Sequence, residues 1–173
     1  MNYSAKDMAG SFRTVRKNTV QVAEDIPEDQ YDFRAAPGLR SVAEMLAHVA
    51  ASTWWAKQMH GVERKTHVGF EDWSGFMAKG QAMEKALTSK AQIVEALRKN
   101  GDEFTAWLDT VSDEVLAEHV SFPPPINPPS RSRFEMLLSV KEHEMHHRGQ
   151  LMLIERLLGI VPHLTRARET QAT

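Results

Sequence analysis

An all-α four-helix bundle is the fold class that this sequence predicts, and three features of the chain predict it. Helix-start signals, serine with an acidic residue three positions on, precede long stretches whose apolar residues return every three to four positions. No stretch alternates convincingly at the strand period. The amphipathic stretches are long and are joined by one or two long connections, which is how a bundle is wired.

The elements follow in order. Ser4 with Asp7 opens a first helix on which Met8, Phe12, Val15, Thr19, Val22 and Ile26 keep helical spacing until Pro27. Residues 34–40 (RAAPGLR) form a turn, after which Ser41 and Glu44 open a second helix, SVAEMLAHVAASTWWAKQMHG, closed by Gly61. Residues 62–75 show neither period and are expected to be loop. A third helical stretch is predicted from about Phe76 to Thr110, broken or capped near Thr88 and Ser89, with Ile93, Leu97, Phe104 and Leu108 as its inner row. Residues 121–130 (SFPPPINPPS) cannot be helix, because their prolines remove donors and fix φ, so they form a crossover loop. Ser132 and Glu135 open the last helix, which runs to Gly159 ahead of Pro162. The polar tail from about Thr165 is expected to fray.

Composition limits what such a bundle does. The 173 residues (1–173) are expected to form a single domain large enough to bury roughly 70% of its unfolded surface. Cysteine is absent, which removes disulfides, thiolate ligands and cysteine nucleophiles. Net charge is -2, from 21 basic and 23 acidic residues. The basic residues are dispersed, and pairs such as Arg131/Arg133 and Arg166/Arg168 are too sparse for a nucleic-acid partner. The first residues lack a signal-peptide pattern and no apolar run is long enough to span a bilayer, so the expectation is a cytoplasmic protein with no membrane partner.

The chemistry lies in KEHEMHHRGQLMLIERLLG. His143 and His147 are four residues apart, which sets their imidazoles about 40° apart on one helix face, a spacing that offers two nitrogens to one metal ion. With His143 at zero, Met136, Val140, Leu151, Ile154 and Leu158 fall between about +20° and +80°. His147 is inside that apolar stripe, His143 is just outside its edge, and His146 is on its flank at about -60°. A single core histidine is more often a hydrogen-bonding structural residue than a ligand. Two on one stripe need partners, since an unsatisfied buried imidazole nitrogen costs about 1–3 kcal/mol, and a shared cation satisfies both. His48, in line with Met45, Ser52, Trp55 and Met59 on an inward row of the second helix, is the best candidate for a third ligand.

The segments PGLRSVAEMLAHVAAS around His48 and EHEMHHRGQL with His143 and His147, at this separation, resemble the DinB/YfiT-like superfamily of metal-binding four-helix bundles. The resemblance spans most of the chain. It implies an up-down-down-up bundle, frequent homodimers, and a divalent ion, zinc or nickel among them, held by His48, His143 and His147. It assigns His146 to no ligand position, which leaves it in an outer shell or on the surface. The superfamily includes mycothiol-dependent isomerases and bacillithiol transferases, so a low-molecular-weight thiol enters as an implied cofactor.

His143-Glu144-x-x-His147 is also a literal HExxH, the signature in which a glutamate activates metal-bound water for proteolysis. The longer motif needs glycine and histidine where this chain has Gln150 and Leu153, and the remaining glutamates, Glu155 and Glu169, are on the same helix and in the tail. Proteolysis is therefore set aside. Glu144, at about +100° on the wheel, stays a candidate general base, an outer-shell carboxylate, or a surface partner of Arg148. Arg148, Gln150, Trp54 and Trp55 are candidates for pocket or interface positions, ordinary packing being the commoner role for each. Three neutral imidazoles leave open positions on a doubly charged ion, which suits either hydrolysis or thiolate activation. The expectation is a metal-dependent enzyme acting on a small molecule, a thiol S-transferase or a hydrolase. The alternative is a non-catalytic dimeric metal-binding or stress-response module whose metal is structural or absent.

Overall fold

In the computed structural model, which describes residues 3–171, serine caps do what their spacing predicts. The helices are α1 (Ala5–Asp25), α2 (Val42–Lys57), α3 (Phe70–Ala86), α4 (Lys90–Leu108), α5 (Asp113–Ala117), α6 (Arg133–Leu157) and α7 (His163–Gln171). Ser4, Ser41, Ser89 and Ser132 cap α1, α2, α4 and α6, each accepting from the third backbone N–H of its helix. Asp7, Glu44, Gln92 and Glu135 reach back to the cap in return, so two otherwise orphaned donors are satisfied at each start.

These four helices form the bundle: α1 and α2 each pack against both α4 and α6. Its direction can be followed from the ends. Tyr3 meets Phe134 edge-on, which puts the starts of α1 and α6 together. Lys90 at the start of α4 donates to the carbonyl of Ile26 just past the end of α1, and Val42 at the start of α2 shares a cluster with Val22 and Ile26. Two helices therefore run one way and two the other, in the order up-down-down-up. The core divides into an upper cluster, with Leu46, Leu97 and Leu151, a lower one, with Phe12, Phe104 and Leu137, and a third, with Met59, Phe76 and Met136. No helix among the described residues is long and apolar enough to cross a membrane.

Three local expectations change. The segment 62–75 is not all loop, because α3 begins at Phe70, where the Asp72 side chain accepts from Gly69 N–H. Its periodicity is hidden because α3 buries only Phe76 and leaves Phe70, Trp73 and Met77 exposed. The predicted stretch 76–110 divides where a break or cap was expected, near Thr88 and Ser89, and of its two helices only α4 belongs to the bundle. The proline-rich loop is closed at its base by a two-stranded antiparallel ribbon, β1 (His119–Ser121) with β2 (Ser130–Ser132), too short to show a period. The tail is helical as α7 through Gln171, with Arg166 bridging to Asp25 of α1; its last two residues are outside the described residues.

Gly61 also has a different role from the expected helix stop. It is inside a π-helical turn, Gln58–Val62, and a Cβ there would meet the Trp107 ring at 2.6 Å, so close approach and not capping requires glycine.

Candidate metal centre

His48 projects from α2 and His143 and His147 from α6, and the three rings converge. The Nε2 atoms of His48 and His143 are 3.0 Å apart, and those of His147 and His143 are 3.1 Å apart. One ligand atom from each of the three lies within 4.8 Å of the others. The pairwise spacing left His143 and His147 as a two-nitrogen clue, and the fold supplies the third nitrogen from the helix that was expected to carry it.

The outward nitrogens of two rings are committed. His48 Nδ1 is 2.8 Å from Glu84 Oε1, and a carboxylate only accepts, so Nδ1 carries a proton and the neutral ring keeps its lone pair on Nε2. His147 Nδ1 is 2.8 Å from Gln150 Oε1, while the amide nitrogen of Gln150 is 3.2 Å from His146 Nε2. With the amide so oriented, His147 also donates from Nδ1 and keeps a lone pair on Nε2. Two lone pairs thus face His143 Nε2, which can donate to only one of them. Burial, reinforced by the neighbouring imidazoles, pushes His143 down to about 4, and burial likewise lowers His147. Both rings are therefore neutral at neutral pH. A divalent cation matches this donor set, since tetrahedral ligation at about 2.0–2.1 Å brings nitrogens to a little over 3 Å from one another.

Glu84 was missed by sequence reasoning. It is on α3, whose period is obscured, and nothing local ties a lone glutamate to a histidine 36 positions away. His146 is exposed, meets the His147 ring edge-on at 5.0 Å and Gln150 through its Nε2, and is not among the three converging imidazoles.

Glu144 is elsewhere. Its side chain is fully buried on the α1 side of α6, where both carboxylate oxygens take Arg16 Nε, at 2.9 and 3.1 Å, and Oε2 also takes Nη2 at 2.9 Å. Arg16 Nη1 and Nη2 also donate to the carbonyls of Leu97 and Val49. The expected partner Arg148 is replaced by Arg16, and the candidate base is a core ion pair turned away from the imidazoles. The wheel placed Glu144 correctly at the stripe's border, but in a bundle that border is covered by the neighbouring helix.

Beside His48 and His143 opens a cavity of about 390 Å³, within the range of small-molecule sites. Trp55 lines it and Trp54 packs against Phe76. Arg40, exposed at the turn before α2, stands at its edge.

The family model of the DinB superfamily matches residues 11–151. The chain belongs to the DinB superfamily. Its fold is similar to that of a DinB-like protein, YjoA, from Bacillus subtilis, at a TM-score of 0.63 with 18% identity, covering 88% of this chain and 91% of that one. It is also similar to YfiT from Bacillus subtilis, described as a probable metal-dependent hydrolase with an unusual four-helix bundle topology (TM-score 0.65, 16% identity, 90% of this chain and 88% of that one). A further similar structure is an uncharacterised protein from Clostridium difficile 630 (TM-score 0.68, 16% identity, 88% and 96%). Among curated proteins no match is found.

Proposed function

We propose that the protein is a divalent-metal-dependent enzyme acting on a small molecule, with His48, His143 and His147 as the ligands. The observation that carries this reading is the convergence of three Nε2 atoms, two of them held as lone pairs by Glu84 and Gln150. The description of YfiT as a probable metal-dependent hydrolase supports it at the level of the fold. A bound zinc or nickel ion would supply a Lewis acid with open positions, which acidifies water toward a pKa of ~7 for hydrolysis or holds a low-molecular-weight thiol as thiolate for S-transfer.

The chain's own residues orient the ligands and shield them. Glu84 and Gln150 fix two tautomers, and His146 steadies Gln150. Glu144 is assigned no proton transfer, because its oxygens are committed to Arg16; that also takes the glutamate away from the protease reading of HExxH. For the homodimer that the resemblance implies, the exposed stripe Met145, Leu153 and Leu157 on α6, with Gly149 between them, is the surface we assign.

Metal analysis of untagged protein tests the centre. One divalent ion per chain is expected, with loss of that ion in His147→Ala; unchanged stoichiometry in the variant would refute the ligand set. Light scattering tests the dimer: Leu153→Asp should halve the measured mass, and a wild-type mass equal to one chain removes the dimer.

A further inference from the structure

Helix α3 has an apolar face of which only Phe76 joins a core cluster. Trp73, Phe76, Met77, Gly80, Gln81 and Glu84 recur at the three- and four-residue spacing of one helical face, and together they form one wall of the cavity beside the histidines. The helix packs chiefly on α2 and buries only Phe76, while Trp73 and Met77 remain 46% and 48% exposed. Apolar side chains ordinarily turn toward another element, whereas these look across the cavity to Ala51 and Trp55 of α2 and Val140 of α6. Trp55 and Trp73 meet edge-on at 5.7 Å, and beyond them a second cavity of about 420 Å³ shares both tryptophans and Ser139. The wall is thus polar at one end, with Glu84 turned to His48, and aromatic along the rest.

Arg40 completes the asymmetry. It lines the cavity at the histidine end; its guanidinium makes no ion pair within 4 Å among the described residues, and the nearby Glu44 and Glu84 carboxylates are engaged by Arg34 and His48.

We propose that this cavity takes a small amphiphile: a flat aromatic or bulky apolar body lying between α3 and the α2/α6 wall, and a carboxylate head directed to Arg40 and the histidine centre. An apolar lining with a few convergent polar groups is the usual construction of such a site, and a guanidinium matches a carboxylate in charge and shape. The head-group half rests on the metal reading above; the apolar half stands without it.

Calorimetry with naphthoate and with naphthylmethanol as probes separates the halves. On metal-loaded wild type, naphthoate should bind about tenfold tighter than the alcohol, the worth of one charge-assisted contact. A Cβ at Gly80 meets nothing within 4 Å, so Gly80→Phe fills the cavity with little disturbance of the helix; it should weaken both probes at least about tenfold at unchanged metal stoichiometry. Trp73→Ala, at a half-exposed position, should weaken both several-fold and provides an independent check should Gly80→Phe misfold. Arg40→Gln and His147→Ala should each reduce naphthoate toward the alcohol and leave the alcohol unaffected. Wild-type binding of both probes by Gly80→Phe and Trp73→Ala, or no binding of either probe by wild type, overturns the proposal. If wild type holds no metal yet the alcohol still binds and is lost in Gly80→Phe, the proposed function and the head-group assignment fall together and the apolar site stands.

Discussion

One turn of α6 serves two polar constellations built on contrary principles. Toward α1, Glu144 and Arg16 match every acceptor with a donor, down to the carbonyls of Leu97 and Val49. Toward α2, three imidazoles gather nitrogen lone pairs that the protein leaves without enough protons. The first arrangement is complete by itself and acts as structure. The second leaves lone pairs that a cation could take up. Two residues adjacent in sequence, His143 and Glu144, thus diverge in role because the bundle covers one with a guanidinium and opens the other onto a cavity.

The sharpest way to break this contrast is to delete one member of each set. Glu144→Ala strands the charge of Arg16, only 5% exposed, and should cost about 3–5 kcal/mol in urea unfolding. His147→Ala in metal-free protein should cost far less, since it strands no charge. Equal losses would show that the two constellations do not differ in kind. Metal then narrows the difference: at a free ion concentration of 100 times Kd, wild type should gain about 2.7 kcal/mol, Glu144→Ala a similar increment above its own baseline, and His147→Ala none.

A smaller effect probes how tightly the ion pair is seated. A Cβ at Gly101 would meet Arg16 Cγ at 2.7 Å and Nη1 at 3.1 Å, and Arg16 cannot swing away without leaving Glu144 and Leu97 O. Gly101→Ala should therefore cost about 1–3 kcal/mol, and the cost should shrink in an Arg16→Ala background, as a double-mutant cycle would show. Independent, additive losses would mean that Gly101 is not needed for the guanidinium.

The two regions were unequally legible in the sequence. Capping boxes and the 3.6-residue period are local, so Ser4, Ser41 and Ser132 marked three of the four bundle starts, and Ser89 marked the break before α4. His48, His143 and His147 were legible because histidine on an apolar stripe is conspicuous and the family resemblance joined the distant pair to the third. Arg16 was hidden: on a wheel it is one more basic residue of α1, and only the packing of α1 against α4 and α6 buries it. Glu84 and Trp73 were hidden for the reverse reason. Helix α3 faces a cavity and not a core, so its apolar spacing carries little of the burial that makes a period readable. Long-range partners leave no local pattern.

Glu155 offers the finest test of the contrast, because it is a third case on the same helix. Like Glu144 it is fully buried, but its carboxylate oxygens have no hydrogen-bond partner among the described residues. Without a guanidinium in contact, burial pushes its carboxyl up to about 7, and Asp25 adds to the shift while Arg166 and Arg156 oppose it. The folded state therefore holds this proton more tightly than the unfolded chain, whose ordinary value is 4.5. The stability associated with it is fully present below pH 4.5 and is lost as pH rises through about 7. Glu155→Gln keeps the shape and removes the charge, so it should be more stable than wild type near pH 8, on the order of 1 kcal/mol, with little difference near pH 4. Glu144→Gln should do the opposite at neutral pH, because there the charge is matched and its removal leaves Arg16 short of a partner. Urea midpoints for the two variants across this range decide the matter. If both respond to pH alike, it is the depth of burial, and not the partner across the helix, that sets the role of a carboxylate on α6.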